Sequence, residues 1–294
     1  MIKIYADLKR NADIAKYNCD GLIVNSSEFS CYNDETFSLE EALSYNNLIK
    51  KSNKVSILNI DSIIMEDDIE KLLRYLDKVY LKFDYFIYSD MAIRYYFEEK
   101  DLTSKLIYNP QTLVASSNEL KRYNESGIKV ILANELSFEE IESICNNCCG
   151  FTNLEVFGFH QMFYSKRKLI SLYKEFFGLN KELINKELFL KEELREQFYP
   201  IYESNKGTFI YTDYIYCLFE ELLKISDKID FIKINGSFIS ESDYYKIIDI
   251  YSKLVKKEEE ASSLYEKLKS INSNLSKGFL LNKSILLKVN ENDK

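Results

Sequence analysis

Short, nearly uninterrupted apolar runs recur along this chain of 294 residues, separated by longer amphipathic stretches. The runs are IKIYA (2–6), DGLIVN (20–25), KVSILNI (54–60), FDYFIYS (83–89), KLIYN (105–109), IKVILAN (128–134), LEVFGF (154–159) and IDFIKI (229–234). They lack the polar alternation of a half-exposed strand, so each reads as a strand buried on both faces. The intervening segments read as helices. SLEEALSYNNLIKK opens with Ser38 and carries Glu41 three residues later, a capping box, and Ser137 with Glu140 repeats it in SFEEIESI. MEDDIEKLLRYLDKVY sets Ile69, Leu72, Leu73, Leu76 and Val79 on one face, with acids in its first turn. Eight strands alternating with helices predict a parallel α/β sheet, and the count of eight favours a (β/α)8 TIM-barrel-like fold. The alternative is an open doubly wound parallel sheet.

One stretch breaks the rhythm. Residues 172–226 form an excursion between the seventh and eighth strands, within which LREQFYPIYE and GTFIYTDY predict a hairpin turning at Ser204–Gly207. Beyond Lys253, KLVKKEEEASSLYEKLK reads as one polar helix, and the last 20 residues, with GFLLNKSILLKV, as a terminal strand or flap. The expected organisation is a single barrel-like domain over 1–260, carrying the 172–226 insertion, and a helix-and-strand extension over 261–294.

Composition narrows the function classes. Hydrophobic residues make up 46% and charged residues 29%, the balance of a soluble globular protein. No run of about 20 apolar residues is present to form a transmembrane helix. MIKIYADLKRNADIAKY lacks the apolar core of a signal peptide, so a cytoplasmic location is expected and the six cysteines read as reduced thiols. A net charge of −8 argues against a broad nucleic-acid surface while leaving room for a local basic pocket. Low Gly and Pro, absent Trp and 23 Tyr suggest drift toward A- and T-rich codons, which erodes motifs and spares folds.

In a barrel, substrate-facing residues lie at the C-terminal ends of strands. That rule selects Asp7, Asn25, Ser26, Asn59, Asp61, Ser89, Asp90, Asn109, Asn134, Glu135, His160, Gln161, Lys233 and Asn235. Each competes with a plain capping or loop role, to which Asp61, Asn109 and Ser137 are well suited. Glu135 and Asp90 follow buried strands directly, where desolvation raises a carboxyl pKa toward general acid–base work; the competing reading is a salt bridge, as to Arg94. His160, the only histidine, has no acidic or cysteine partner near it in sequence. Arg167, in the run Ser165–Lys168, suits a phosphate or carboxylate at the start of a helix expected near Ser165. CNNCC (145–149) holds one CxxC without a second pair at zinc spacing, so packing explains it as well. The Walker, GxGxxG, HExxH and GxSxG motifs are absent.

Four segments, KLIYNPQTLVASSNELKRYNESGIKVILANELSFEEI (105–141), VFGFHQMFYSKRKLISLY (156–173), KEELREQFYPIYESNKGTFIY (191–211) and IDFIKINGSFISESDYYKIIDIY (229–251), resemble the collagenase-like peptidase family, peptidase family U-thirty-two, in its short Firmicutes-type branch. The resemblance implies a barrel-like α/β core. It implies proteolysis by name, and also hydroxylation of tRNA uridine, as several members support RNA modification, some with an iron-sulfur cluster on four cysteines. Laid on without gaps, the family pattern Glu…His-Gly…Cys…Ser-Gly-Arg-Cys places its Glu on Asn153, its His on Phe157 and its Gly on Gly158. Its cysteines fall on Gln161 and Lys168, while Ser165 and Arg167 match. Amide and ammonium in place of thiolates argue against a family-type cluster, and no other cofactor is expected. The family's Ala-Arg-Glu-Leu reads Ala133-Asn134-Glu135-Leu136, keeping the glutamate, and Asp90 matches a family aspartate.

The resemblance therefore implies an RNA-modification protein of the tRNA uridine 5-hydroxylation type, with Glu135 and Asp90 as catalytic candidates. Arg167, Ser165, Asn59, Lys233 and His160 are the substrate-binding candidates, and no metal is expected. The alternatives are a peptidase, which lacks a nucleophile–histidine pair here, and a non-catalytic barrel subunit. The partners expected are tRNA or a longer paralogue of the family, with no membrane and no DNA.

Overall fold

Each of the eight apolar runs forms a strand in the computed structural model, which describes residues 2–281 apart from 33, 149, 151, 180–187, 194 and 195. They are β1 (Lys3–Asp7), β2 (Gly21–Asn25), β3 (Val55–Ile60), β4 (Tyr85–Tyr88), β5 (Leu106–Tyr108), β6 (Lys129–Val130), β7 (Thr152–Gly158) and, after the excursion, β13 (Ile229–Ile234). Parallel pairing runs β7-β13-β1-β2-β3-β4-β5-β6. Two short strands with no apolar run of their own extend the sheet beyond β7: β12 (Ile215–Cys217), antiparallel to β7, and β14 (Leu275–Ser276), parallel to β12. The molecule is thus a mixed α/β fold built on a large, mainly parallel sheet.

Helices α1 (Leu39–Lys51), α2 (Ile69–Val79), α3 (Met91–Glu98), α4 (Ser117–Glu125) and α5 (Phe138–Asn147) follow the successive strands. Both expected capping boxes form, at Ser38 with Glu41 and at Ser137 with Glu140. On α2, Leu72, Tyr75, Leu76 and Val79 are buried, whereas Leu73 faces outward. Where one polar helix was expected after Lys253, there are two. α7 (Glu241–Lys256) stops at Lys257, whose left-handed backbone turns the chain, and α8 (Ala261–Ile271) starts after an acidic linker.

Alternation along the strands sorts side chains into two layers. One face, with Leu22, Val24, Leu58, Phe86 and Ile232, packs against the helices in the main core. On the other, Tyr5, Ile23, Ile57, Ile87, Ile107, Ile131 and Phe231 meet in a separate apolar cluster. Gly21 sits in register with Tyr5, and a Cβ there would lie 2.8 Å from the Tyr5 ring. Just past β6, Ile131 bridges Asn153 of β7 in parallel fashion, and Leu132 N–H donates to Asn153 O at 3.0 Å. The Asn153 side chain joins three strands: its amide donates to Val130 O at 2.8 Å, and its oxygen accepts from Phe231 N–H at 3.1 Å.

The excursion makes a second sheet, ordered β8 (Gln161–Ser165), β11 (Gly207–Tyr211), β10 (Phe198–Ser204) and β9 (Phe189–Lys191). β10 and β11 are the hairpin, with Ser204 opposite Gly207. The helix expected near Ser165 is displaced: residues 161–165 pair with β11 as a strand, and α6 (Leu169–Phe176) begins later. Phe209 and Tyr211 pack with Cys31, Phe159, Tyr164 and Phe238, seating this small sheet over the C-terminal ends of the main strands. Residues 282–294 of the expected terminal strand, and parts of the excursion, lie outside the described residues.

Candidate functional site

The inward strand positions that are apolar mid-sheet turn polar at the C-terminal ends, although they stay buried. Asp7 and Asn25 are fully buried, and Asn59, Asn109, Glu155, His160 and Lys233 nearly so. Packed polar groups of this kind tend to satisfy one another, and most of them do so in two arrays.

The first array runs across β1, β2 and β3. The Asp7 carboxylate accepts from Gly236 N–H at 3.0 Å and from the Asn25 amide at 3.1 Å. The Asn59 amide donates to Asn25 Oδ1 at 2.8 Å and to Ser30 Oγ at 3.1 Å. Ser30 Oγ in turn donates to Asp61 Oδ1 at 3.1 Å, which also takes Cys31 N–H at 2.7 Å. Burial pushes the Asp7 carboxyl above its usual range, against the pull of Lys233 and these donors.

The second array follows from the register between β7 and β13, which sets Glu155 directly beside Lys233. Lys233 Nζ lies 2.6 Å from Glu155 Oε2, and the Asn235 amide donates to Glu155 Oε1 at 3.2 Å. Burial raises the Glu155 carboxyl, but the Lys233 charge and the hydrogen bonds from Lys233 and Asn235 outweigh it and hold it low. Burial likewise disfavours the Lys233 ammonium, yet Glu155 and Asp7 reverse that and hold it charged. His160 Nε2 sits 3.7 Å from Glu155 Oε1, beyond hydrogen-bond reach, and its buried Nε2 lacks a partner. Its ring lies 4.3 Å from that of Tyr216. Burial pulls the imidazole down to about 4, so it is neutral at pH 7, with proton-accepting capacity left over.

A cavity of about 430 Å³ opens above these arrays, lined by Asp61, Tyr108, Gln111, Gln161 and Tyr164 among others. A water-sized recess, of about 30 Å³, shares Cys31, Asp61, Gln111 and Gln161 with it and reaches Asn59, Glu155, Lys233 and Asn235. Amides and a stacked tyrosine around a volume of this size suit a planar polar ligand such as a nucleobase. Tyr164 stacks on Phe209 with ring centres 4.7 Å apart.

Of the seven catalytic and substrate-binding candidates, Asn59 and Lys233 line the recess, and His160 lies behind it against Glu155. The other four lie elsewhere. Asp90 caps α3 by accepting Ala92 N–H at 2.9 Å and ties down Ile64 N–H at 2.9 Å. Glu135 is exposed in the turn before α5, although its neighbour Asn134 lines the recess. Ser165 Oγ accepts Arg167 N–H at 3.2 Å at the end of β8, and Arg167 is exposed. Glu155 is the group that the strand-end rule passes over, being enclosed in an apolar run. The available signal was a lone carboxylate in LEVFGF matched by a lone lysine in IDFIKI. Asn153, on which the ungapped overlay sets the family glutamate, spends its amide within the sheet. The carboxylate on that face is Glu155, one inward position further on.

A four-cysteine cluster does not fit these residues. Gln161 lines the cavity and Lys168 is exposed before α6, while Phe157 is a core side chain packed on Tyr251. The described cysteines are dispersed apart from Cys145 and Cys148 at the end of α5, and burial raises the Cys19 and Cys217 thiols to about 12 and Cys145 to about 11, disfavouring thiolates. Among the described residues no three His, Cys, Asp or Glu side chains converge as a metal site, and no helix is long and apolar enough to cross a membrane.

The model of Peptidase family U32 matches residues 7–287. The tRNA hydroxylation protein P2 of Bacillus subtilis (strain 168) is 24% identical over 269 residues, spanning 85% of this chain and 86% of that protein. Among solved structures, the U32 peptidase Mk0906 matches with a TM-score of 0.49 at 14% identity, over 81% of this chain and 93% of that one. Orotidine 5'-phosphate decarboxylase from Thermotoga maritima matches with a TM-score of 0.40 at 10% identity, over 85% and 98%. With a match that spans nearly its whole length, the chain belongs to Peptidase family U32.

Proposed function

We propose that this protein acts in RNA modification, of the tRNA uridine 5-hydroxylation type, in the cytoplasm and without an iron-sulfur cluster. The observation that carries the reading is the end-to-end similarity to the Bacillus subtilis tRNA hydroxylation protein P2. The setting of the polar arrays supports it. We read the main sheet as a closed (β/α)8 barrel whose seam is the Ile131–Asn153 bridge, with the polar floor at its C-terminal mouth. A base entering the cavity meets amides and Tyr164, beside the recess that the charged Glu155–Lys233 pair lines. The chain's own contribution is to bind the base and shield it from water. A longer paralogue is the partner that would fit a subunit role.

Proteolysis has less support. Cys31, beside the cavity, has its thiol raised by burial and by Asp61, and it donates to Asp61 O at 3.6 Å, so it is not an activated nucleophile. Deletion of the gene is expected to abolish the hydroxylated wobble uridine in tRNA mass spectra, and a plasmid-borne copy to restore it. Unchanged spectra would sink the reading.

A further inference from the structure

The hairpin tip carries a feature that the polar floor does not explain. Lys206, in the turn between β10 and β11, donates to Glu28 O and lies 6.0 Å from the centre of the Phe29 ring. Lys71, from α2, reaches the same place: its Nζ is 3.0 Å from Glu28 Oε2 and 5.4 Å from the Phe29 centre. Lys166 arrives from the end of β8, its Cα 2.9 Å from where a Cβ on Gly207 would stand. Three segments remote in sequence thus bring three lysines near one another beside Tyr164, which lines the cavity and whose Oη donates to Lys206 O at 3.2 Å. The acids beside them are Glu28, which faces Lys71, and Asp61, which already accepts from Cys31 and Ser30. Lys206 is half-buried, and the crowding has a measurable effect. Burial, then the like charges of Lys71 and Lys166, push its ammonium down to about 8. A chain with a net charge of −8 that gathers cations at one place leaves that place short of anions.

We infer that Lys71, Lys166 and Lys206 form a phosphodiester-binding site that holds the RNA backbone next to the nucleotide whose base occupies the cavity. The inference rests on the RNA reading above and adds to it the place where the strand is gripped. The geometry is built in. Positive φ at Gly207 and the overlap that any Cβ there would make with Ser165 O fix the hairpin tip against β8, so Lys166 and Lys206 are presented together. Lysines used as point charges suit a backbone contact, which positions the strand without reading its sequence.

The test is the salt dependence of RNA binding by the full-length protein, measured by fluorescence anisotropy with a labelled anticodon stem-loop. Lys71→Met, Lys166→Met and Lys206→Met keep the aliphatic stems and remove the charge. Each is expected to lower the log–log salt slope by about 0.7–0.9, and the triple variant to weaken binding more than tenfold at low salt. Lys206→Arg should restore the slope, and unchanged thermal unfolding shows that the variants are folded. Wild-type binding with a slope that the triple variant retains overturns this site and leaves the RNA reading standing. Absence of wild-type binding overturns the RNA reading with it. Lysine-dependent binding of polyglutamate in place of RNA assigns the patch to an acidic protein and overturns the proposal.

Discussion

At the scale of single residues, the Glu155–Lys233 pair is the most exacting part of the molecule. Two opposite charges lie nearly out of reach of water at 2.6 Å, so removing one leaves the other buried and uncompensated. Glu155→Gln or Lys233→Met is expected to cost about 3–5 kcal/mol in urea unfolding, and the double variant less than either. His160 gives a pH signature. Its buried imidazole protonates near 4, while an unfolded histidine does so near 6.5. The unfolded chain therefore binds the extra proton, and stability falls as pH drops from 6.5 toward 4, by on the order of 3 kcal/mol. His160→Gln should flatten that part of the profile. The difference between the two curves isolates His160 from Asp7, whose raised carboxyl pKa acts in the opposite direction. Asp90 illustrates how a strand-end carboxylate can be fully employed by the backbone. Asp90→Ala should lose about 1–2 kcal/mol of stability, and Asp90→Asn, which keeps one of the two acceptor oxygens, less.

At the scale of elements, strands buried on both faces were legible because few polar residues interrupt them, and α1 and α5 because Ser and Glu announce their first turns. β12 and β14 were not, since three and two residues carry no periodicity. β8 was passed over because Gln161–Ser165 carries no buried apolar run of its own and its partner β11 decides its conformation. The polar floor was half legible. The strand-end rule reached Asn59, Lys233 and His160, but their convergence depends on a pairing order that brings β7 and β13 beside β1. It passed over Glu155, whose neighbours in sequence are all apolar. Asn153 carries this pairing, as its side chain is bonded to β6 and β13 at once. Asn153→Leu is expected to cost about 2–3 kcal/mol and to speed amide hydrogen exchange at Leu132 and Phe231.

At the scale of the whole molecule, charge and shape work against each other in a useful way. A net −8 repels a polyanion from most approaches, so the proposed RNA strand would be admitted where lysines from α2, β8 and the hairpin gather. Bulk composition concealed this edge because the three lysines belong to segments far apart in sequence. The excursion bearing two of them leaves the main sheet after Gly158 and returns at Tyr216, and those two residues are paired with each other. Its ends are therefore already held together by the scaffold, and closing the loop costs little more when the insertion is long than when it is short. Folding of the strands and helices can proceed without waiting for the hairpin to dock. An exchange of this insertion would therefore change the rim above the polar floor while leaving the sheet that carries the floor unaltered.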